Sequence, residues 1–272
     1  MITDFIYSHP TWLVGLIVIT VWTGLSLLGL YLFNRRVDVH LRHKDTETVG
    51  LTYAIVAVVY AVLIALIVVD VFETFSKSDS IATAESNKLS NLMLDSAGLS
   101  PQMATELRSD INKYIDIVVK SEWPNQQKGK LDQSVFEPGW AILAHMSTEL
   151  AMFEPATMGQ NVDKAEMLHA LNDLIKSRRG RILAAGEHLP SVVWAILLLG
   201  GVISVIYTYL FGARTFGIHV SITGLIAATI ALMFVLIITL DYPFRGEVSV
   251  SSDSFTGVQA TALGTLEGSA GH

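Results

Sequence analysis

The chain has 272 residues, of which 51% are hydrophobic and only 16% charged, and its mean hydropathy is +0.48. Soluble domains average about 25% charged residues, so composition excludes an ordinary soluble protein. A net charge of −7 leaves nucleic-acid binding without electrostatic footing, and the absence of cysteine rules out disulfides, thiolate metal sites and a cysteine nucleophile.

Four apolar runs lie near 11–33, 51–72, 191–211 and 218–240. Each is about twenty residues, enough to cross a hydrocarbon core of about 30 Å as a helix. None alternates apolar with polar residues as a membrane strand would. No Lys or Arg precedes the first run, and Arg35 and Arg36 follow it. That order is the reverse of a signal peptide, so the run is predicted to be a retained span.

In the second run Thr52, Val56, Val59, Leu63, Leu66, Asp70 and Glu73 recur every three or four residues and share one helical face. The face is apolar in the middle and acidic at one end. In a ring of subunits it would line a pore, a hydrophobic constriction followed by carboxylates. Alternatively it packs on neighbouring helices, with the acids at headgroup level. Asp70 is the only acid within any of the four runs, and acids there usually face a cavity or a partner. The opposite face, Tyr53, Ala57, Tyr60, Ala61 and Ile64, carries small residues that permit close helix packing.

Residues 76–190 predict a bundle of helices. Ser80 is expected to cap a helix ending at Gly98, and Ser100-Pro101 to open the next. That second helix has an apolar face of Leu107, Ile111, Tyr114, Ile115 and Val118, and is expected to stop at Trp123-Pro124. A third is predicted from Pro138 to Glu154-Pro155. A fourth, from Asn161 or Asp163, carries Leu168, Leu171 and Ile175 and reaches Leu189-Pro190. After the last run, in "TLDYPFRGEVSV", Tyr242 suits the membrane interface, Pro243 ends the helix and Gly246 frees a turn. "EVSVS" then reads as a short strand or extended segment. The expected fold is an all-α membrane protein. Two transmembrane hairpins, 1–75 and 191–242, flank a helical extramembrane domain at 76–190, and an extended polar tail occupies 243–272.

The loop after the first run carries Arg35, Arg36, Arg42 and Lys44, and the loop before the fourth carries Arg214. The positive-inside rule makes both loops cytoplasmic, and places both termini and the helical domain outside a cell (inner) membrane. Lys176, Arg178, Arg179 and Arg181 precede the third run, but long segments cross largely regardless of charge. These bases are expected to snorkel or to pair with acids such as Glu85, Glu122 and Asp241. His40 with His43, and His145 with Glu149, are pairs too small for a metal site. No G-x-S-x-G elbow, P-loop or H-E-x-x-H motif occurs, so neither an enzyme nor a cofactor is expected.

An ordered set of residues runs through nearly the whole chain. It comprises Gly50, Ala84-Glu85, Arg108, Tyr114, Glu122-Trp123-Pro124, Arg178, Arg181, Leu189-Pro190 and Trp194, then Asp241-Tyr242-Pro243-Phe244-Arg245-Gly246. This set resembles the bacterial bestrophin-like family of integral membrane proteins, a domain of unknown function distantly related to bestrophin channels. The resemblance implies a homo-oligomeric ion channel in a lipid bilayer, passing inorganic ions. Bestrophins are calcium-gated anion channels, but no acidic cluster here matches their calcium clasp, so calcium gating is not implied. The acids on the second run point instead to a cation preference. The other reading of the same residues is a membrane-anchored extracytoplasmic sensing module that acts through a partner.

Overall fold

The computed structural model describes residues 2–37, 46–211 and 215–259, and among these every regular element is a helix. The chain forms two compact units. One comprises Met1–Thr74, His188–Asp241 and Gly246–Val248; the other comprises Phe75–Glu187, Tyr242–Arg245 and the residues from Ser249 onward.

The first unit contains a short helix α1 (Ile2–Ser8), α2 (Thr11–Arg36), the first half of α3 (Thr46–Asp95), α8 (Ser191–Tyr209) and α9 (Phe216–Leu240). The four long helices coincide with the four apolar runs. Only 17–33% of their most apolar windows is buried within the chain. Helices that are apolar all round yet outward-facing need a non-aqueous surround, and the lipid bilayer supplies it. Helices α2 and α9 pack closely: the Trp22 and Phe234 rings meet edge-on at 5.0 Å. Helix α3 joins through Tyr60, whose hydroxyl donates to the Leu197 carbonyl at 2.7 Å. Its ring lies where a Gly200 side chain would be.

The second unit is built from the rest of α3, α4 (Pro101–Ile117), α5 (Trp123–Gln127), α6 (Gln133–Met152) and α7 (Met158–Ala184). Its core includes Leu92, Leu107, Ile111, Leu143 and Leu174. Several predicted boundaries move. Ser80 caps nothing, because α3 continues unbroken for 50 residues. No Gly or Pro lies between Gly50 and Gly98 to interrupt it. The helix closes in a tight turn at Ser96–Gly98. Ser100 does cap α4, its Oγ accepting from the Met103 N–H at 3.3 Å.

Trp123-Pro124 does not stop the chain. A π-helical turn, Val118–Glu122, shifts the register, and Pro124 falls in the first turn of α5, where its missing donor has no consequence. Helix α6 begins five residues before Pro138, which lies inside it. Helix α7 begins at Met158, earlier than Asn161, because Thr157 Oγ1 accepts the Gln160 N–H at 3.2 Å.

The tail also departs from expectation. Val250 is not in a strand; its N–H donates to the Pro243 carbonyl at 2.8 Å, and residues 253–259 are helical. Phe244, Val250, Phe255 and Val258 are buried in the core of the second unit, so its first part is not merely polar. Gly246 has φ +87°, the left-handed conformation that a turn there requires.

Candidate functional site

Four helices of the second unit bring a charged cluster into its interior. Glu85 on α3, Tyr114 on α4, Glu122 in the π turn, Gln126 on α5, and Arg178 and Arg181 on α7 are all fully buried. Arg178 forks onto Glu122 with bonds of 2.6 and 3.1 Å, and donates to Tyr114 Oη at 3.0 Å and to the Phe136 carbonyl at 2.8 Å. Arg181 reaches Glu85 at 2.7 and 3.1 Å, Glu122 at 2.9 Å and Gln126 Oε1 at 3.1 Å. Tyr114 donates to Glu85 at 2.5 Å. Two arginines face two carboxylates, so the formal charge sums to zero and most donors find an acceptor. That is the condition under which buried charge is tolerated.

Burial, and after it the neighbouring Glu85 charge, pushes the Tyr114 phenol above its ordinary value. Burial works against both guanidinium charges. The charges of Glu85 and Glu122, with the hydrogen bonds that Glu85 accepts, outweigh it at Arg181; Glu122, accepting from the guanidinium, outweighs it at Arg178. Both arginines remain cations, and Tyr114 remains a neutral donor. Aromatic faces complete the shell: Arg178 lies 4.8 Å over Trp140, and Arg181 lies 5.5 Å over Trp123.

Room for this cluster comes from Gly139. A Cβ there would lie 2.5 Å from Arg178 Nη2 and 2.6 Å from Glu122 Oε1. Glu85, Tyr114, Glu122, Arg178 and Arg181 were all expected to matter from their place in the ordered set, and the fold brings them into one network. Gln126, Gly139 and Trp140 were not expected. The signal that could have found Gly139 is the Pro138-Gly139 pair inside an otherwise helical stretch. The other members of the set support the frame. Arg108 Nε donates to Ser96 Oγ at 2.7 Å, holding α4 to the end of α3. The Trp123 ring meets Phe244 and Phe255 edge-on, each at 5.5 Å. With its carboxylates and guanidiniums committed to one another, the cluster is suited to holding helices together rather than to chemistry on a substrate.

Asp241 pairs otherwise than expected. It binds no base of α7. In the first unit its carboxylate accepts the Leu189 N–H at 2.6 Å and the Trp194 indole N–H at 3.2 Å, tying the end of α9 to the start of α8. Pro190 sits at the cap of α8, its carbonyl accepting from Val193 at 2.9 Å. Burial raises the Asp241 carboxyl, against these two donors and the nearby His188, which lower it.

Most of the predicted pore face of α3 is exposed, although Leu63 packs against the core of its unit. Thr52, Val59, Leu66, Asp70 and Glu73 are exposed in the single chain, while Val56 and Leu63 are half-buried. On the opposite face Tyr60 and Ile64 are buried, and Tyr53 and Ala57 half-buried. Of the histidine pairs, His40 and His43 lie outside the described residues. His145 Nδ1 lies 2.7 Å from Asp110 Oδ2, and Glu149 lies 3.9 Å from the other ring nitrogen, so the two acids flank the ring. Among the described residues no three groups converge as metal ligands.

Comparison with known proteins agrees with this architecture. The family model for a Bestrophin-like domain matches residues 13–255. The crystal structure of a membrane protein resembles the chain with a TM-score of 0.61 at 13% identity, covering 89% of this chain and 97% of the other. At that identity the likeness carries the fold alone. No curated protein matches the chain.

Proposed function

Because the chain belongs to the bestrophin-like family, we propose that it is an oligomeric ion channel, not an enzyme, in which one α3 from each copy surrounds a central pore. The observation that carries this reading is the outward face of α3, where Val59 and Leu66 are about two-thirds exposed in the single chain and lead to the exposed acids Asp70 and Glu73. A face of that kind suits a dewetting constriction followed by a carboxylate ring. Four spans in two hairpins enclose no pore alone, so several copies around an axis are required. Carboxylate rings attract cations and repel anions, so the channel is cation-preferring.

Planar-bilayer recording of the purified protein tests this. Steady single-channel currents are expected, with a reversal potential that moves toward that of the anion when Asp70→Asn and Glu73→Gln are combined. A lowered melting temperature with an unchanged reversal potential would make the acids structural and remove them from the pore. Silence across several salts would remove the channel itself and leave a membrane-anchored module acting through a partner.

A further inference from the structure

The second unit carries charges of both signs that its buried network does not use. A cleft of about 590 Å³ lies between the end of α3 and α7. Its α3 wall presents Lys88, Asn91 and Asp95 on successive turns, and its α7 wall presents Glu166, His169 and Asp173 in the same way. Both walls are held in place, because Leu89 and Leu92 of α3 and Met167, Leu171 and Leu174 of α7 are buried in the core of the unit. The two helices run back along each other. At one end, a Cβ on Gly98 would collide with the Asp163 carboxylate. At the other, Asp173 is held below the ordinary carboxylate range, first by the hydrogen bond from Lys176, then by the charges of Lys176, His169 and Lys88. The cleft therefore has Lys88 and Asp173 at one end and Asp95 and Glu166 at the other, about 10 Å away along the helices.

These opposite charges line one cleft without meeting. The side chains of Lys88, Asn91, Asp95 and Glu166 have no hydrogen-bond or ion-pair partner among the described residues. Lys113, Lys120 and Lys176 of the same unit, by contrast, each reach an acid at 2.8–2.9 Å. We propose that the cleft binds a free basic amino acid, arginine or lysine, whose carboxylate lies on Lys88 and Asn91 and whose side-chain cation lies between Asp95 and Glu166. The α-ammonium then falls beside Asp173, so each of the three ligand charges meets its opposite. A simple anion would face three carboxylates, and a simple cation would leave Lys88 unanswered. An acidic or neutral amino acid would leave Asp95 and Glu166 with nothing to bind. The volume lies within the range of small-molecule sites, about 300–1,000 Å³. The site uses none of the residues assigned to the pore, and so goes beyond the channel reading.

Isothermal titration calorimetry on the full chain in mild detergent tests this, with L-arginine, L-lysine, L-glutamate and cadaverine as probes. Cadaverine is lysine without its carboxylate. Arginine or lysine should bind, and glutamate should not. Lys88→Met should weaken the amino acid about tenfold and leave cadaverine no weaker, because only the amino acid has a carboxylate for Lys88 to hold. Asp95→Asn with Glu166→Gln should weaken both probes by at least as much. Asp95 and Glu166 are exposed and Lys88 is half-buried, so these changes leave the core intact. The unaltered chain gives a second measurement that needs no variant, the ratio of its affinities for lysine and cadaverine. Equal affinities would reduce the cleft to an acidic surface that collects cations, and would overturn the proposal. No heat from either arginine or lysine would overturn it too, as would binding that neither the Lys88 change nor the acid pair alters.

Discussion

At the scale of single residues, the decisive quantity is the cost of leaving one buried charge without its partner. Arg181 answers both Glu85 and Glu122. Arg181→Ala would leave Glu85 without a cation in the interior of the second unit, Glu122 keeping Arg178, and is expected to cost about 3–5 kcal/mol. Arg181→Lys should recover little, because an ammonium cannot reproduce the planar fork that spans Glu85, Glu122 and Gln126. Gly139→Ala tests the steric side of the same cluster and should cost about 1–3 kcal/mol, since the added methyl meets Arg178 and Glu122. Denaturation of the purified protein, followed by circular dichroism, would rank these variants. Asp241 supplies a pH test. Its carboxyl is raised in the folded state by burial, so the folded form holds its proton at pH values where the unfolded form has lost it. The stability this group contributes is therefore present below the ordinary carboxylate value of about 3.9 and is lost as pH rises through the raised one. Asp241→Asn should flatten the fall in stability across that window; an unchanged pH profile would remove the effect of burial.

At the scale of elements, α3 differs from every other helix. Its 50 residues are more than twice the roughly twenty that cross the hydrocarbon core. Its attachment within the first unit depends on Tyr60 seated at Gly200. Tyr60→Phe removes only the bond to Leu197, which within a membrane is worth about 0.6 kcal/mol. Gly200→Ala should cost more, because it displaces the ring itself. Unfolding in mixed detergent would separate the two, and an equal effect would mean that the contact at Gly200 is loose. The spans were legible in the sequence because the bilayer demands long uninterrupted apolar runs, which leave a plain trace. The inner helix ends were harder. Ser80 carries a strong capping residue type, yet nothing around it breaks the helix, and Ser78 nearby is buried in mid-helix. Pro138 signals a start, but α6 accepts it internally, five residues on. The individual members of the charge network were visible as an ordered set. Their pairing was not, because Glu85 and Arg181 are 96 positions apart and only the fold brings them together.

For the whole molecule, loop charge bears on the compartment of the helical segment between the second and third spans, and the outward face of α3 bears on assembly. Arg35, Arg36, Arg42 and Lys44 crowd the first short loop, and on the positive-inside rule we propose that this loop is cytoplasmic and the helical segment extracytoplasmic. The exposed bases of α7, Lys176 and Arg179, pull the other way, whereas Arg178 and Arg181 do not: they are neutralised inside the second unit by Glu85 and Glu122. Of the four basic residues ahead of α8, only two therefore remain to oppose the loop, which strengthens the case for the outside placement. A cysteine-free chain makes the test direct. Gln126 is buried and would report nothing, but Lys128, two residues on, is exposed. Lys128→Cys should react with a membrane-impermeant maleimide on intact cells, while Lys44→Cys should react only after the membrane is opened. The reverse pattern would invert the topology and place the helical segment in the cytoplasm. The same variants, purified in mild detergent, allow mass measurement by light scattering. A single species at a fixed multiple of 29.7 kDa is expected of a closed ring. A strict monomer would leave α3 with only lipid on its outward face, and Asp70 and Glu73 with no pore to line.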